Sequence, residues 1–226
     1  MISSKILLPL AVLTVASCDY YTPPVISTPM THKGPSGSEP ESSGGRPTVR
    51  FPARVAVARI NPSGGGFSLE DSTQGEKPEH AAKVAALPGI SGVVALNRLA
   101  LKSHVDSYRE LDREALKLGA DLLAVYRFDS SEDIQDAFVP LTVVTLGLAP
   151  NHTHKTTTVA TLMVRDARTG YIYGVMEERA DSGGLTAGMD VANAVQRDKR
   201  HSRDKAMDQL VEKLPAFWGG VLAKGR

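Results

Sequence analysis

The chain has 226 residues, a net charge of +1, 42% hydrophobic and 23% charged residues, and 5% aromatics. A near-neutral charge supplies no field to steer the chain onto nucleic acid or an acidic surface, and so few aromatic rings argue against a base-stacking platform for single strands. Its single cysteine excludes an internal disulfide and a cysteine-rich metal centre.

The first element is MISSKILLPLAVLTVASC, residues 1–18. Lys5 and the amino terminus are positive, residues 6–15 are almost wholly apolar, and Ala16 and Ser17 are small. Positive, apolar, then small is the order of a secretory signal peptide. The apolar run falls short of the about 20 residues that a spanning helix needs.

Val15-Ala16-Ser17-Cys18 resembles the lipobox of bacterial lipoproteins. The resemblance implies a diacylglyceryl group on the Cys18 sulfur, cleavage after Ser17 and acylation of the new amino group. Residues 1–17 are then the signal peptide, and Cys18 becomes the first residue of the mature chain. Each buried lipid CH₂ contributes about 0.8 kcal/mol, and two or three chains anchor stably where one does not. Asp19 resembles the signal by which enterobacterial lipoproteins stay in the inner membrane; other bacteria sort differently, so inner and outer membrane both stay open.

After Cys18, residues 19–50 are dominated by Pro, Ser, Gly and Thr and carry no apolar period. Such a segment buries too little surface to offset its ordering entropy. Residues 18–50 read as a flexible tether with a reach on the order of 30 Å. Residues 51–226 amount to one domain.

In that domain RVAVARI, residues 54–60, alternates and is Val-rich, which predicts a strand stopped by NPSGGG and followed by a loop. Residues 79–87 predict a short helix before Pro88-Gly89, and residues 90–96 a second strand. Val105, Tyr108, Leu111, Ala115 and Leu118 recur at helical spacing. Ser103 or Ser107 is placed to cap that helix, Ser107 and Glu110 have capping-box spacing, and Gly119 ends it. Residues 121–128 run almost continuously apolar, as a strand covered on both faces does.

Residues 138–148, FVPLTVVTLGL, are the most apolar stretch after the signal, and core, interface and membrane contact are all open for them. Residues 156–165 and 171–178 predict two strands joined by the tight turn DARTG, with Gly170 at a positive φ. A bend at SGGL precedes a long helix whose apolar face holds Ala206, Leu210, Val211, Leu214 and Phe217. RDKRHSRDK, residues 197–205, reads as a solvated face with pairs four residues apart. The order predicts an α/β fold: a mixed sheet of about five strands with flanking helices.

EALKLGADLLAVYRF, then TTTVATLMVRDARTGYIYGVMEE, then a closing helix resemble the periplasmic domain of the curli-secretion lipoprotein CsgG. LpoB-type lipoproteins and the amino-terminal domain of TolB are similar in build. The matching motifs are Gly119-Ala120-Asp121 and Asp166-Ala167-Arg168-Thr169-Gly170. The resemblance implies an anticodon-binding-domain-like α/β fold on a lipid anchor, with no catalytic residues to carry over. In CsgG, hairpins inserted in this domain build a membrane barrel, and residues 130–155 occupy the place of one. A barrel strand alternates apolar and polar residues over about ten positions; FVPLTVVTLGLAP does not, and it holds two prolines. A binding or assembly role closer to the LpoB type is therefore expected.

Other motifs lead nowhere chemical. PSGGG lacks the spacing of a dinucleotide or phosphate loop. His152 and His154 lack a third ligand nearby and read as a polar loop. The sequon at Asn151 carries little meaning beside a bacterial lipobox. Asp121, Asp166, Glu177 and Glu178 lie near strand ends without catalytic spacing, and Asp166 reads as a turn residue bonded to its own backbone. Trp218, beside Phe217, reads as a core anchor. The expectation is a non-enzymatic, lipid-anchored envelope lipoprotein facing the periplasm or the cell exterior, held to the membrane through Cys18. It uses no metal, cofactor or nucleic acid. It binds an envelope protein partner or assembles with itself; residues 138–148 are a candidate contact, with burial in the core the stronger expectation for them. The alternative is a subunit of a CsgG-like secretion or pore assembly.

Overall fold

The structure, a computed structural model, describes residues 45–63, 66–70, 77–96, 105–136, 150–187 and 190–225. Its sheet is organised on β1 (Ala53–Ser63), which is covered on both faces: Ala53 and Val55 belong to one core cluster and Ala56, Ala58 and Ile60 to the other. On one side β1 pairs in parallel with β4 (Leu122–Asp136), from Val55 opposite Leu122 to Arg59 opposite Tyr126. On the other side it pairs in parallel with β3 (Ile90–Ala95) and, further along, antiparallel with β2 (Gly66–Glu70). Beyond β4, the strands β5 (Pro150–Asp166) and β6 (Ile172–Ala187) add on antiparallel. The result is a mixed six-stranded sheet in the order β2-β1-β4-β5-β6, with β3 beside β1.

Three helices are described: α1 (Pro78–Ala85), α2 (Tyr108–Lys117) and α3 (Val191–Lys224). Strand periodicity divides the core between the two sheet faces. Leu122, Ala124 and Tyr126 of β4, with Ala160, Leu162 and Val164 of β5, pack with the Ala206, Leu210, Leu214, Trp218 and Val221 stripe of α3. Leu123, Val125 and Met163 share a second cluster with Leu111 and Ala115 of α2 and with Phe67. Burial on both faces is why residues 122–126 carry no polar alternation. The α/β class expected from the sequence is the class observed.

Several details differ from expectation. The glycine-rich stretch after β1 does not end in a loop: Ser63 pairs with Gly66 and the chain returns as β2, the strand missing from the expected five. β5 and β6 extend well past residues 156–165 and 171–178, and SGGL lies inside β6 rather than at a bend. A Cβ at Gly183 would fall on the His154 carbonyl, so the glycine permits close strand pairing here. Ser107 is the N-cap of α2, yet its side chain makes no capping bond. Residues 197–205 are not simply a solvated face: Ser202 is fully buried, and Asp198 and Lys199 pair with His154 and Glu132 on neighbouring strands.

Other expectations hold. Gly119 and Gly170 both have φ of 71°. Trp218 is buried, and its Nε1–H donates to the Pro88 carbonyl at 2.8 Å. Residues 45–50, which composition places in the tether, lie against the domain: Val49 is buried and Thr48 bonds Asp166.

Candidate functional site

Cys18 and residues 138–148 lie outside the described residues. The carboxylates singled out in the sequence have structural partners. Asp121 Oδ2 accepts the Arg54 N–H at 3.2 Å, where β1 and β4 begin. Glu177 accepts the Thr161 hydroxyl, and Glu178 accepts Lys213 Nζ at 2.7 Å. Asp166 is fully buried, and its Oδ1 accepts the N–H groups of Arg168 and Thr169 at 2.8 and 3.1 Å, the turn role expected of it.

His154 is not in a loop. It sits on β5, is buried, and meets Asp198 Oδ2 through Nε2 at 2.5 Å; Ser182 donates to the other oxygen of Asp198 at 2.6 Å. The Ser182 hydroxyl meets the carboxylate and not the imidazole, and the three side chains fasten α3 to β5 and β6. Among the described residues, no group of three or more His, Cys, Asp or Glu is placed to hold a metal ion.

A cleft lies elsewhere, between α2 and the β5–β6 turn, with a volume of about 580 Å³. Leu111 and Ala115 hold α2 on the sheet by full burial. Helical spacing then puts Arg109, Asp112, Arg113 and Leu116 along the cleft. The opposite wall is the turn, where Asp166 gathers the Arg168 and Thr169 amides and Gly170 takes its positive φ. Arg168 and Thr169 line the cleft from there, and Arg165 lines it from the end of β5.

Four arginines, Arg109, Arg113, Arg165 and Arg168, and one carboxylate, Asp112, therefore line the cleft. Arg165 is only 2% exposed, and its Nη2 donates to Asp112 Oδ2 at 2.8 Å. Its guanidinium also stacks 5.2 Å from the Tyr108 ring centroid. Arg165 Nε and Nη1 and Asp112 Oδ1 find no hydrogen-bond partner among the described residues. Burial pushes the Asp112 carboxyl up to about 6, against the pull of Arg165. Arg113 and Arg168 are exposed, and Arg168 reaches Asp121 at 3.6 Å.

Sequence reasoning missed this cleft. Arg109 and Arg113 are four apart, and Arg165 and Arg168 flank DARTG, but neither pair marks a site until the topology joins them.

No family model and no curated protein matches the chain. Solved structures do match at low similarity. A minor lipoprotein from Acinetobacter baumannii aligns over 73% of this chain and 93% of its own, with 9% identity and a TM-score of 0.37. Rare lipoprotein B from Shewanella oneidensis aligns over 74% and 98%, with 8% identity and a TM-score of 0.35. A PelC dodecamer from Paraburkholderia phytofirmans aligns over 78% and 91%, with 11% identity and a TM-score of 0.32. Likeness at this level carries no argument about this chain's function, which rests on its own residues. No helix among the described residues is long and apolar enough to cross a membrane.

Proposed function

We propose that this chain is a lipid-anchored lipoprotein of the bacterial cell envelope, in which an α/β domain on a tether binds or assembles with envelope protein partners without catalysis. One observation carries the reading: the ordered run of Lys5, an apolar stretch, Ala16-Ser17 and Cys18 at the head of the chain. Cys18 carries the acyl groups and residues 1–17 are removed. The domain's carboxylates support a binding role, since those tested as catalytic candidates serve turns, strand ends and interelement pairs. Feeding labelled palmitate to cells making the chain or its Cys18→Ala variant tests the anchor. Label on the parent alone supports it, and label on neither defeats it.

The second reading is a subunit of a CsgG-like assembly. It is favoured by the β4–β5 hairpin, which pairs out to Asp136 opposite His152, in the place where that resemblance puts a barrel hairpin. The described end of the hairpin argues for a partner in water instead. Residues 131–135 are all exposed and include Glu132 and Asp133, whereas a barrel needs an outward apolar band about 25 Å tall. Ring-shaped particles in detergent extracts would favour the second reading, and a detergent-solubilised monomer would count against it.

A further inference from the structure

We propose that the cleft between α2 and the β5–β6 turn is a binding site for a phosphate group carried by a small molecule. The inference stands apart from the anchor, because every residue lining the cleft lies between Arg109 and Gly170. Its volume, about 580 Å³, falls within the range of small-ligand sites, roughly 300–1,000 Å³. Its lining is cationic, although the whole chain is nearly neutral. Four guanidinium groups share the cleft with one carboxylate.

The arrangement selects the ligand's shape as well as its charge. Arg113 comes from the helix side and Arg168 from the turn side, both exposed, while Arg165 is buried in the wall and held by Asp112. A tetrahedral phosphate can offer separate oxygens to two opposed guanidinium groups, whereas a carboxylate accepts within one plane. Guanidinium forks suit phosphate oxygens in bidentate geometry, and charge-assisted bonds of this kind are the strong ones. The buried wall is also incompletely satisfied: Arg165 keeps two nitrogens without a partner among the described residues, and Asp112 keeps one oxygen. A single Arg–Asp pair in such a place gains little stability by itself, because desolvation offsets the attraction. A bound phosphate would add acceptors for the exposed Arg113 and Arg168 guanidinium groups, which reach the cleft from opposite walls.

The test is calorimetric titration of the full chain in non-ionic detergent with inorganic phosphate, with glycerol 3-phosphate and with dihexanoyl phosphatidylglycerol. Saturable one-to-one binding of at least one of the three phosphate-bearing probes is expected. The Arg113→Gln/Arg168→Gln variant, which changes two exposed side chains, should weaken it at least about tenfold with an unchanged circular dichroism spectrum. Asp112→Asn, which removes the competing charge, should tighten it. Binding of the short-chain lipid alone assigns the phosphate to a lipid headgroup; binding of the two water-soluble probes assigns it to a free ester. Absence of saturable binding by all three probes overturns the proposal. So does an affinity for citrate equal to that for phosphate, or an unaltered affinity in the folded double variant.

Discussion

Asp166 Oδ2 accepts both the backbone N–H of Thr48, at 2.9 Å, and its hydroxyl, at 2.8 Å, across 118 residues of chain. One buried carboxylate thus holds the segment that enters the domain, while its second oxygen shapes the β5–β6 turn. Burial acts to raise the Asp166 pKa. The bonds from Thr48, Arg168 and Thr169 outweigh it and hold the carboxyl below its ordinary value of 3.8. A carboxylate with a depressed folded pKa contributes stability above its unfolded value and loses it as pH falls through the folded one. Asp166→Asn should therefore unfold at lower denaturant at pH 7, by about 2–4 kcal/mol. The gap to the parent should narrow as pH falls below 3.8. A constant gap from pH 7 to pH 3 would contradict this role.

Asp112 behaves in the opposite sense. Its folded pKa is raised from 3.8 to about 6, chiefly by burial. The groups facing it are Arg165 on β5, Arg109 on its own helix and, repelling it, Asp166. The folded state binds the proton more tightly, so this contribution is present below pH 3.8 and is lost as pH rises through about 6. The loss is at most about 3 kcal/mol, at about 1.4 kcal/mol per pKa unit. Urea titrations at pH 4 and pH 7 should show this falling component in the parent and its removal in Asp112→Asn.

Trp218 is the chain's single tryptophan and reports on the α3 face of the core. It packs edge-on to Phe51 with ring centroids 6.1 Å apart and donates to Pro88. Trp218→Ala should cost about 3–5 kcal/mol. Trp218→Phe keeps most of the apolar contact and leaves the Pro88 carbonyl without its donor, so a smaller loss of about 1–2 kcal/mol is expected. Thermal melts followed by circular dichroism separate the two.

Gly183 and Gly184 are adjacent but inequivalent. A Cβ at Gly183 meets the His154 backbone, whereas at Gly184 the nearest atom is a His154 ring carbon at 3.8 Å. Gly183→Ala should destabilise the β5–β6 pair by about 1–3 kcal/mol, and Gly184→Ala should stay within about 0.5 kcal/mol of the parent. Equal effects would contradict the pairing register.

Local chemistry made much of this fold legible. Alternation in RVAVARI, the apolar run after Asp121, the DARTG turn and the Ala206–Leu210–Leu214 stripe each follow from a single periodicity or turn preference. The errors arose where one residue type serves two purposes. Glycine reads as a stop, yet Gly66 opens a returning strand and Gly183 lets two backbones approach within one. Charged residues read as solvated, yet Asp198 and Lys199 find partners on strands distant in sequence. The arginine cleft was illegible for the same reason: its walls come from α2 and from a turn some 50 residues later, as the Asp112–Arg165 pair, 53 residues apart, illustrates.

The most direct test of the central claim is the mass of the mature amino-terminal peptide, measured on protein extracted from bacterial membranes. The account predicts a peptide that begins at Cys18 and carries a diacylglyceryl group, with or without a further acyl chain on its amino group. A membrane-extracted chain whose peptide retains residues before Cys18, or whose Cys18 is an unmodified thiol, would contradict it.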